Sequence, residues 1–136
     1  MKRLLFAALA IWMLTACTQN MPGSTETPTI HPEAIYMNIT AAQAKEIMDT
    51  QTGYIILDTR TQEEYDEGHI PGAILIPYDE IAEKADAMLT DRNQLLLVYC
   101  RSGRRSKIAA QTLVELGYTN IREFGGIIDW PYEIEK

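Results

Sequence analysis

The sequence predicts a single α/β domain whose parallel sheet is covered by helices on both faces. Short, continuously apolar runs recur at residues 54–58, 74–77 and 95–99 ("YIILD", "ILIP", "LLLVY"), and a strand apolar on both faces has to be buried on both. Helical patterns separate these runs, among them the stripe Ile108, Ala109, Thr112, Leu113 and Leu116. Strands alternating with helices in this way are the mark of a parallel α/β architecture. No internal repeat is present, and about a hundred residues from Ala34 onward is a workable size for one core.

The chain starts with a segment that does not belong to that core. Residues 1–16 open with Lys2 and Arg3, continue as "LLFAALAIWMLTA" and stop before Cys17. A basic start, an apolar stretch and small residues at a boundary describe a secretory signal. The apolar stretch falls short of the roughly 20 residues a transmembrane helix needs. "LTAC" at 14–17 resembles the lipobox of bacterial lipoproteins. That resemblance implies cleavage before Cys17, a diacylglycerol on its sulfur and an acyl chain on its new amino group, enough hydrocarbon for stable membrane anchoring. Residue 18 is Thr rather than aspartate, so the lipoprotein sorting pattern implies the periplasmic side of the outer membrane in a two-membrane bacterium. Residues 17–33 are rich in Pro, Ser and Thr and poor in large apolar residues. They are expected to form a flexible tether, with His31 solvated, spanning roughly 20 Å. The folded domain is then residues 34–136.

Within it, "AIYMNI" (34–39) reads as a weak strand. Thr40 and Gln43 have the capping-box spacing and open a helix to about Asp49. "YIILD" is a strong strand, and Thr61 with Glu64 forms a second capping box before a short helix. In "GHIPGA" (68–73), Pro71 and Gly72 suit the middle positions of a type II turn. "ILIP" is a strand, followed by a helical pattern over 79–90. "LLLVY" is the most apolar strand, and a helix over 106–116 has Gly117 just past its end. "NIREF" (120–124) is the last strand, and "GGIIDW" (125–130) a turn into a short terminal helix.

The formal charge is −7, and without Lys2 and Arg3 ten cations face 19 acids, a balance of −9. A nucleic-acid binder is basic overall or along one face, so that class is set aside. Arg101, Arg104, Arg105 and Lys107 nevertheless crowd behind Cys100, which points to a local anion site. With Cys17 acylated, Cys100 has no partner in the chain and is either a small core hydrophobe or a reactive thiol. It ends the strand expected to be central, where open α/β sheets place their sites. Backbone N–H groups of the glycine-containing loop can converge there, and the start of the next helix adds positive potential. Such a setting lowers a thiol pKa. His69 is the only histidine of the domain and no His-Asp relay is evident, so the nucleophile is expected to be made electrostatically. No metal-ligand cluster is present, so neither metal nor organic cofactor is expected.

"ILDTR", "EEY", "GHIPGA", "VYCRSGRRS" and "GYTNIREFGGIIDW", in this order and spacing, resemble the rhodanese-like sulfurtransferases. The resemblance implies a five-stranded parallel sheet of order 3-2-4-5-1 flanked by helices. It implies a persulfide on Cys100, formed from thiosulfate or a similar donor and discharged to cyanide or a thiol. Arg101, Ser102, Gly103, Arg104, Arg105 and Ser106 would then bind the substrate. Arg105 is expected nearest the loop interior, Arg101 and Arg104 toward solvent, and Lys107 on the helix surface. Asp58 and Arg60 end a strand at the same edge and could line the pocket; pairing with Glu64 or loop backbone is the favoured reading. His69 is expected to donate to backbone rather than shuttle protons, Trp130 to pack, and Gly125-Gly126 to allow a tight turn. Two rivals stay open: a sulfur carrier or protein-binding module without turnover, and a phosphatase or arsenate-handling enzyme. Related phosphatase loops place arginine at the sixth position after cysteine, where this chain has Ser106; the shorter ring suits one sulfane sulfur.

Overall fold

Two threonines start the first two helices as their spacing requires. Thr40 Oγ1 accepts the Gln43 N–H at 3.2 Å while Gln43 Oε1 accepts the Thr40 N–H at 2.9 Å, opening α1 at Ala41–Thr50. Thr61 and Glu64 repeat the exchange at 3.3 and 3.0 Å before α2, Gln62–Glu67. Each reciprocal pair satisfies two helix-end donors that have no partner within the helix. The computed structural model describes residues 35–136. The expected signal at 1–16, the lipidated Cys17, the tether with His31, and Ala34 lie outside them.

Five strands form one parallel sheet: β1 (Met37–Asn38), β2 (Tyr54–Asp58), β3 (Ile74–Leu75), β4 (Leu95–Cys100) and β5 (Ile121–Gly126). Their order is β1-β5-β4-β2-β3, which read from the other edge is the expected 3-2-4-5-1. The two edge strands are two residues long, leaving little exposed backbone to pair with another chain. β4 is central, and Leu96, Leu97, Val98, Tyr99 and Cys100 are all buried. Helices α3 (Ile81–Met88) and α4 (Arg104–Glu115) cover one face through Ile81, Ala85, Ala109, Ala110 and Leu113, packed on Leu57, Leu96, Val98 and Ile121. On the other face Ala44 of α1 joins Ile56, Leu97, Tyr99, Phe124 and Trp130. Among the described residues no helix is long and apolar enough to cross a membrane.

Four expectations need correction. The third strand pairs only over Ile74–Leu75, because beyond it Ile76 and Tyr78 donate to the carbonyls of Asp58 and Thr59 as the chain bends away. The helix expected over 79–90 is confined to Ile81–Met88, and its start has no side-chain cap. α4 begins at Arg104, two residues early, because Gly103 takes the left-handed conformation (φ 96°) that turns the chain straight from strand end into helix. The buried stripe also differs from the expected one: Ser106, Ala109, Ala110 and Leu113 face inward while Ile108 is exposed. The expected terminal helix is a single 3₁₀ turn at Ile127–Asp129. After it the chain returns to pair with His69 through Glu135. The turn at Pro71-Gly72 closes as expected, with the Ala73 N–H on the Ile70 carbonyl at 3.0 Å.

Candidate active site

β4 delivers Cys100 to the carboxyl end of the sheet, and the loop behind it is only three residues long before α4 begins. Its amides therefore fold back over the sulfur. The Gly103 N–H donates to Cys100 Sγ at 3.0 Å. Burial, the largest single influence, pushes the Cys100 thiol up. The hydrogen bonds from Ser106, Gly103 and Ser102 more than offset it, so the thiol lies below its ordinary value. The residue itself is 1% exposed.

β5 closes the loop from the side. Val98 is in register with Glu123 but Cys100 with Gly126, so β5 carries one extra residue beside the reacting position. A β-carbon at Gly126 would lie 2.0 Å from the Arg101 carbonyl oxygen, which explains why this place has no side chain. The same carbonyl accepts the Ile128 N–H at 3.2 Å.

The cations separate into two groups. Arg101, Arg104 and Lys107 are exposed and form no ion pair among the described residues. Arg105 is half-buried, and Glu64 engages both of its terminal nitrogens at 2.7 Å. The hydrogen bond from Arg105 comes first among the influences that pull the Glu64 carboxyl down to about 2; burial opposes it and the Thr61 cap assists. Of the two expected kinds of partner for Arg60, Glu64 is therefore taken by Arg105, and loop backbone is met at the Gly68 carbonyl. Arg60 instead binds Asp58 with Nη2 at 2.7 Å and the Gly68 carbonyl at 2.7 Å. The Tyr99 hydroxyl donates to Asp58 at 2.7 Å and accepts the Ile70 N–H at 3.1 Å. Burial, then Asp58, raises the Tyr99 hydroxyl far above its usual value. Asp58 and Arg60 thus brace the strand ends beside the loop as a closed ion pair.

His69 stacks on Tyr65 at 3.7 Å between ring centroids. Its Nδ1 lies 3.0 Å from the Tyr65 carbonyl, an acceptor that requires the proton on that nitrogen. Its Nε2 faces Glu135 at 3.3 Å, so its partners lie in α2 and the terminal segment rather than at Cys100. Trp130 packs between Phe124 and Tyr132. It lines a cavity of about 510 Å³ with Met48, Tyr54 and Ile70, to which no residue of the 100–106 loop contributes. Among the described residues no group of three or more His, Cys, Asp or Glu is placed to hold a metal ion.

One residue at the site went unread in the sequence. Glu123 is 2% exposed, accepting the Ser106 hydroxyl at 2.6 Å and the Gly125 N–H at 2.9 Å. Its signal was an acid inside a largely buried strand, two residues before the paired glycines.

A family model described as rhodanese-like domain matches residues 40–131. The chain is 40% identical over 73 residues to thiosulfate sulfurtransferase PspE of Escherichia coli, covering 54% of this chain and 70% of that one. It is 36% identical over 92 residues to the putative sulfur carrier protein YrkF of Bacillus subtilis, covering 67% of this chain but only 49% of that one. Among solved structures, a rhodanese with anions from E. coli superposes with a TM-score of 0.58 at 36% identity, covering 61% of this chain and 98% of that one.

Proposed function

The chain belongs to the rhodanese-like domain family, and from that premise we propose that it is a thiosulfate sulfurtransferase working through a persulfide on Cys100. The observation that carries this reading is a cysteine sulfur enclosed by main-chain donors, with the Gly103 N–H at 3.0 Å. The thiolate attacks the outer sulfur of thiosulfate; the sulfur–sulfur bond of the donor breaks and sulfite leaves with the electron pair. The loop amides then hold the new persulfide. Cyanide or a thiol attacks the outer persulfide sulfur, and Cys100 leaves as thiolate, giving ping-pong kinetics. Arg101 and Arg104, exposed and free of ion pairs among the described residues, attract the anionic donor. Arg105 does not serve as a phosphate clamp, because both its terminal nitrogens are occupied by Glu64. This argues for sulfur over phosphate chemistry in the loop. The reading extends to a lipid on Cys17 that tethers the domain to the periplasmic side of an outer membrane, which the "LTAC" motif supports.

The test is a set of single substitutions in the full chain. Cys100→Ser is expected to abolish thiosulfate:cyanide turnover with the fold intact, and surviving turnover would refute the assignment. Mass spectrometry after thiosulfate treatment is expected to show one added sulfur on Cys100. Loading without steady-state turnover would establish the carrier alternative, which similarity to YrkF supports. Cys17→Ser is expected to abolish acyl labelling and release the protein from the membrane fraction. A label that persists would remove the anchor.

A further inference from the structure

The sulfur-transfer scheme leaves one buried carboxylate unused. Glu123 is enclosed on β5 and forms no ion pair with any Lys or Arg among the described residues. Taking a carboxylate out of water is costly unless hydrogen bonds compensate it. Both of its donors converge on one atom, Oε1: the Ser106 hydroxyl at 2.6 Å and the Gly125 N–H at 2.9 Å. They reach it from opposite sides of the seam between β5 and α4. Gly125 lies in the stretch of β5 that carries the extra residue, and its φ of 89° puts it in the left-handed region. A side-chain acceptor two residues back fixes such a turn. Ser106 is fully buried and belongs to the first turn of α4, which Gly103 begins. A hydroxyl has one proton to give. The carbonyls of Gly103 and Gly125 stand at 3.1 and 3.4 Å, so the nearer Glu123 oxygen takes it. The two arms meet at the loop. A β-carbon at Gly103, itself left-handed at φ 96°, would lie 3.4 Å from the Gly125 α-carbon, so the two glycines rest against each other. The Gly103 N–H is the donor on the Cys100 sulfur. One carboxylate oxygen therefore holds both the strand that Gly103 rests on and the helix that it starts.

We propose that Glu123 is a positioning residue whose Oε1 clamps the first turn of α4 to the bulge of β5, and so sets where the Gly103 N–H meets the Cys100 sulfur. Glu123 acts through Ser106 and Gly125 and has no contact of its own with the reacting sulfur. What the clamp uses is the place of the oxygen, since two donors from different elements need an acceptor at one point. Charge is not what it uses. A glutamine offers a carbonyl oxygen at the same reach. An aspartate keeps the charge but is one methylene shorter, and its oxygens cannot meet both donors at hydrogen-bond distance. The two substitutions therefore separate placement from charge. Without the clamp the contact between Gly103 and Gly125 loosens, and the amide that faces the sulfur is free to turn away.

The inference rests on Cys100 being the reacting thiol and not on its substrate, so its first readout uses no sulfur donor. In the full chain, Glu123→Gln, Glu123→Asp and Glu123→Leu are compared with wild type by the NMR resonance of the Gly103 amide, with thermal melts to show that each is folded. Wild type and Glu123→Gln are expected to share one Gly103 resonance, which moves when Cys100 is alkylated. Glu123→Asp and Glu123→Leu are expected to have lost that position before alkylation. The same pattern is expected in turnover: kcat/KM for thiosulfate stays near wild type in Glu123→Gln and falls about 100-fold in the other two through the misplaced amide. Glu123→Asp carries the test where Glu123→Leu does not fold. An unchanged Gly103 resonance in Glu123→Asp overturns the proposal. So does a Glu123→Gln protein that resembles Glu123→Leu, because the charge and not the place of the oxygen would then be what the site needs. The expected Gly103 pattern in a protein that fails to turn over thiosulfate would instead refute the substrate assignment and leave the clamp standing.

Discussion

At the scale of single residues, the pair formed by Glu64 and Arg105 ties the loop to α2. Two bonds of 2.7 Å meet the flat guanidinium edge, the geometry that makes arginine irreplaceable by lysine here. The Glu64 carboxyl is held down to about 2, whereas an unfolded glutamate titrates near about 4.3. A folded-state value below the unfolded one gives stability that is full above pH of about 4.3 and disappears as pH falls through about 2. Glu64→Gln is therefore expected to cost about 1 kcal/mol at neutral pH, since both groups are partly exposed and solvent screens the pair. The deficit relative to wild type should shrink below pH 4 and vanish near pH 2. Urea melts of both proteins at several pH values check this, and a constant deficit would remove the ion pair as its source. Cys100 and its cations were legible because they lie within eight consecutive positions. The partner of Arg105 was not, because Glu64 is 41 positions away from it and only the fold brings them together.

At the scale of elements, local chemistry was readable and tertiary register was not. Both capping boxes were visible from a threonine and an amide or acid three residues on, because a helix start is written in adjacent residues. The unbroken apolar run of β4 showed its central place for a similar reason. The true start of α4 depended on the backbone of Gly103 and on how tightly the loop packs against β5, which no periodicity records. Glu123 escaped notice because its partner Ser106 lies 17 positions away in another element; beyond it β5 carries one extra residue beside Cys100. That bulge makes contact between the two elements a severe constraint. Gly126 has ordinary extended backbone angles (φ −128°, ψ 151°), so a substitution there is opposed by space alone. Its β-carbon would lie 2.0 Å from the Arg101 carbonyl oxygen and 2.6 Å from the Ser102 α-carbon. Gly126→Ala is expected to push the loop off the sulfur, costing about 1–3 kcal/mol of stability and about 100-fold in kcat/KM through misplaced amides. Thermal melts and steady-state rates check it. Wild-type rates in the variant would show that the loop tolerates the displacement.

At the scale of the whole molecule, the site is a patch of positive charge on an acidic body. The chain carries −7, so a dianion such as thiosulfate is repelled at long range and attracted only where Arg101, Arg104 and Lys107 stand exposed near the loop. Salt screens charges beyond about 10 Å at 0.1 M. Near the loop the attraction dominates the approach in wild type, and the reaction with thiosulfate is expected to slow as ionic strength rises. Removing both arginines reverses the balance. In Arg101→Ala/Arg104→Ala the dianion meets a field dominated by the acids, so kcat/KM should fall about tenfold at low salt. Added salt should then raise it, because what is screened is repulsion. A neutral thiol acceptor feels neither field, so its step should change little in either protein. Measuring kcat/KM for thiosulfate across a salt series in both proteins tests the opposite slopes. Parallel slopes would mean that these cations do not guide the donor and that the loop amides alone bring it to Cys100.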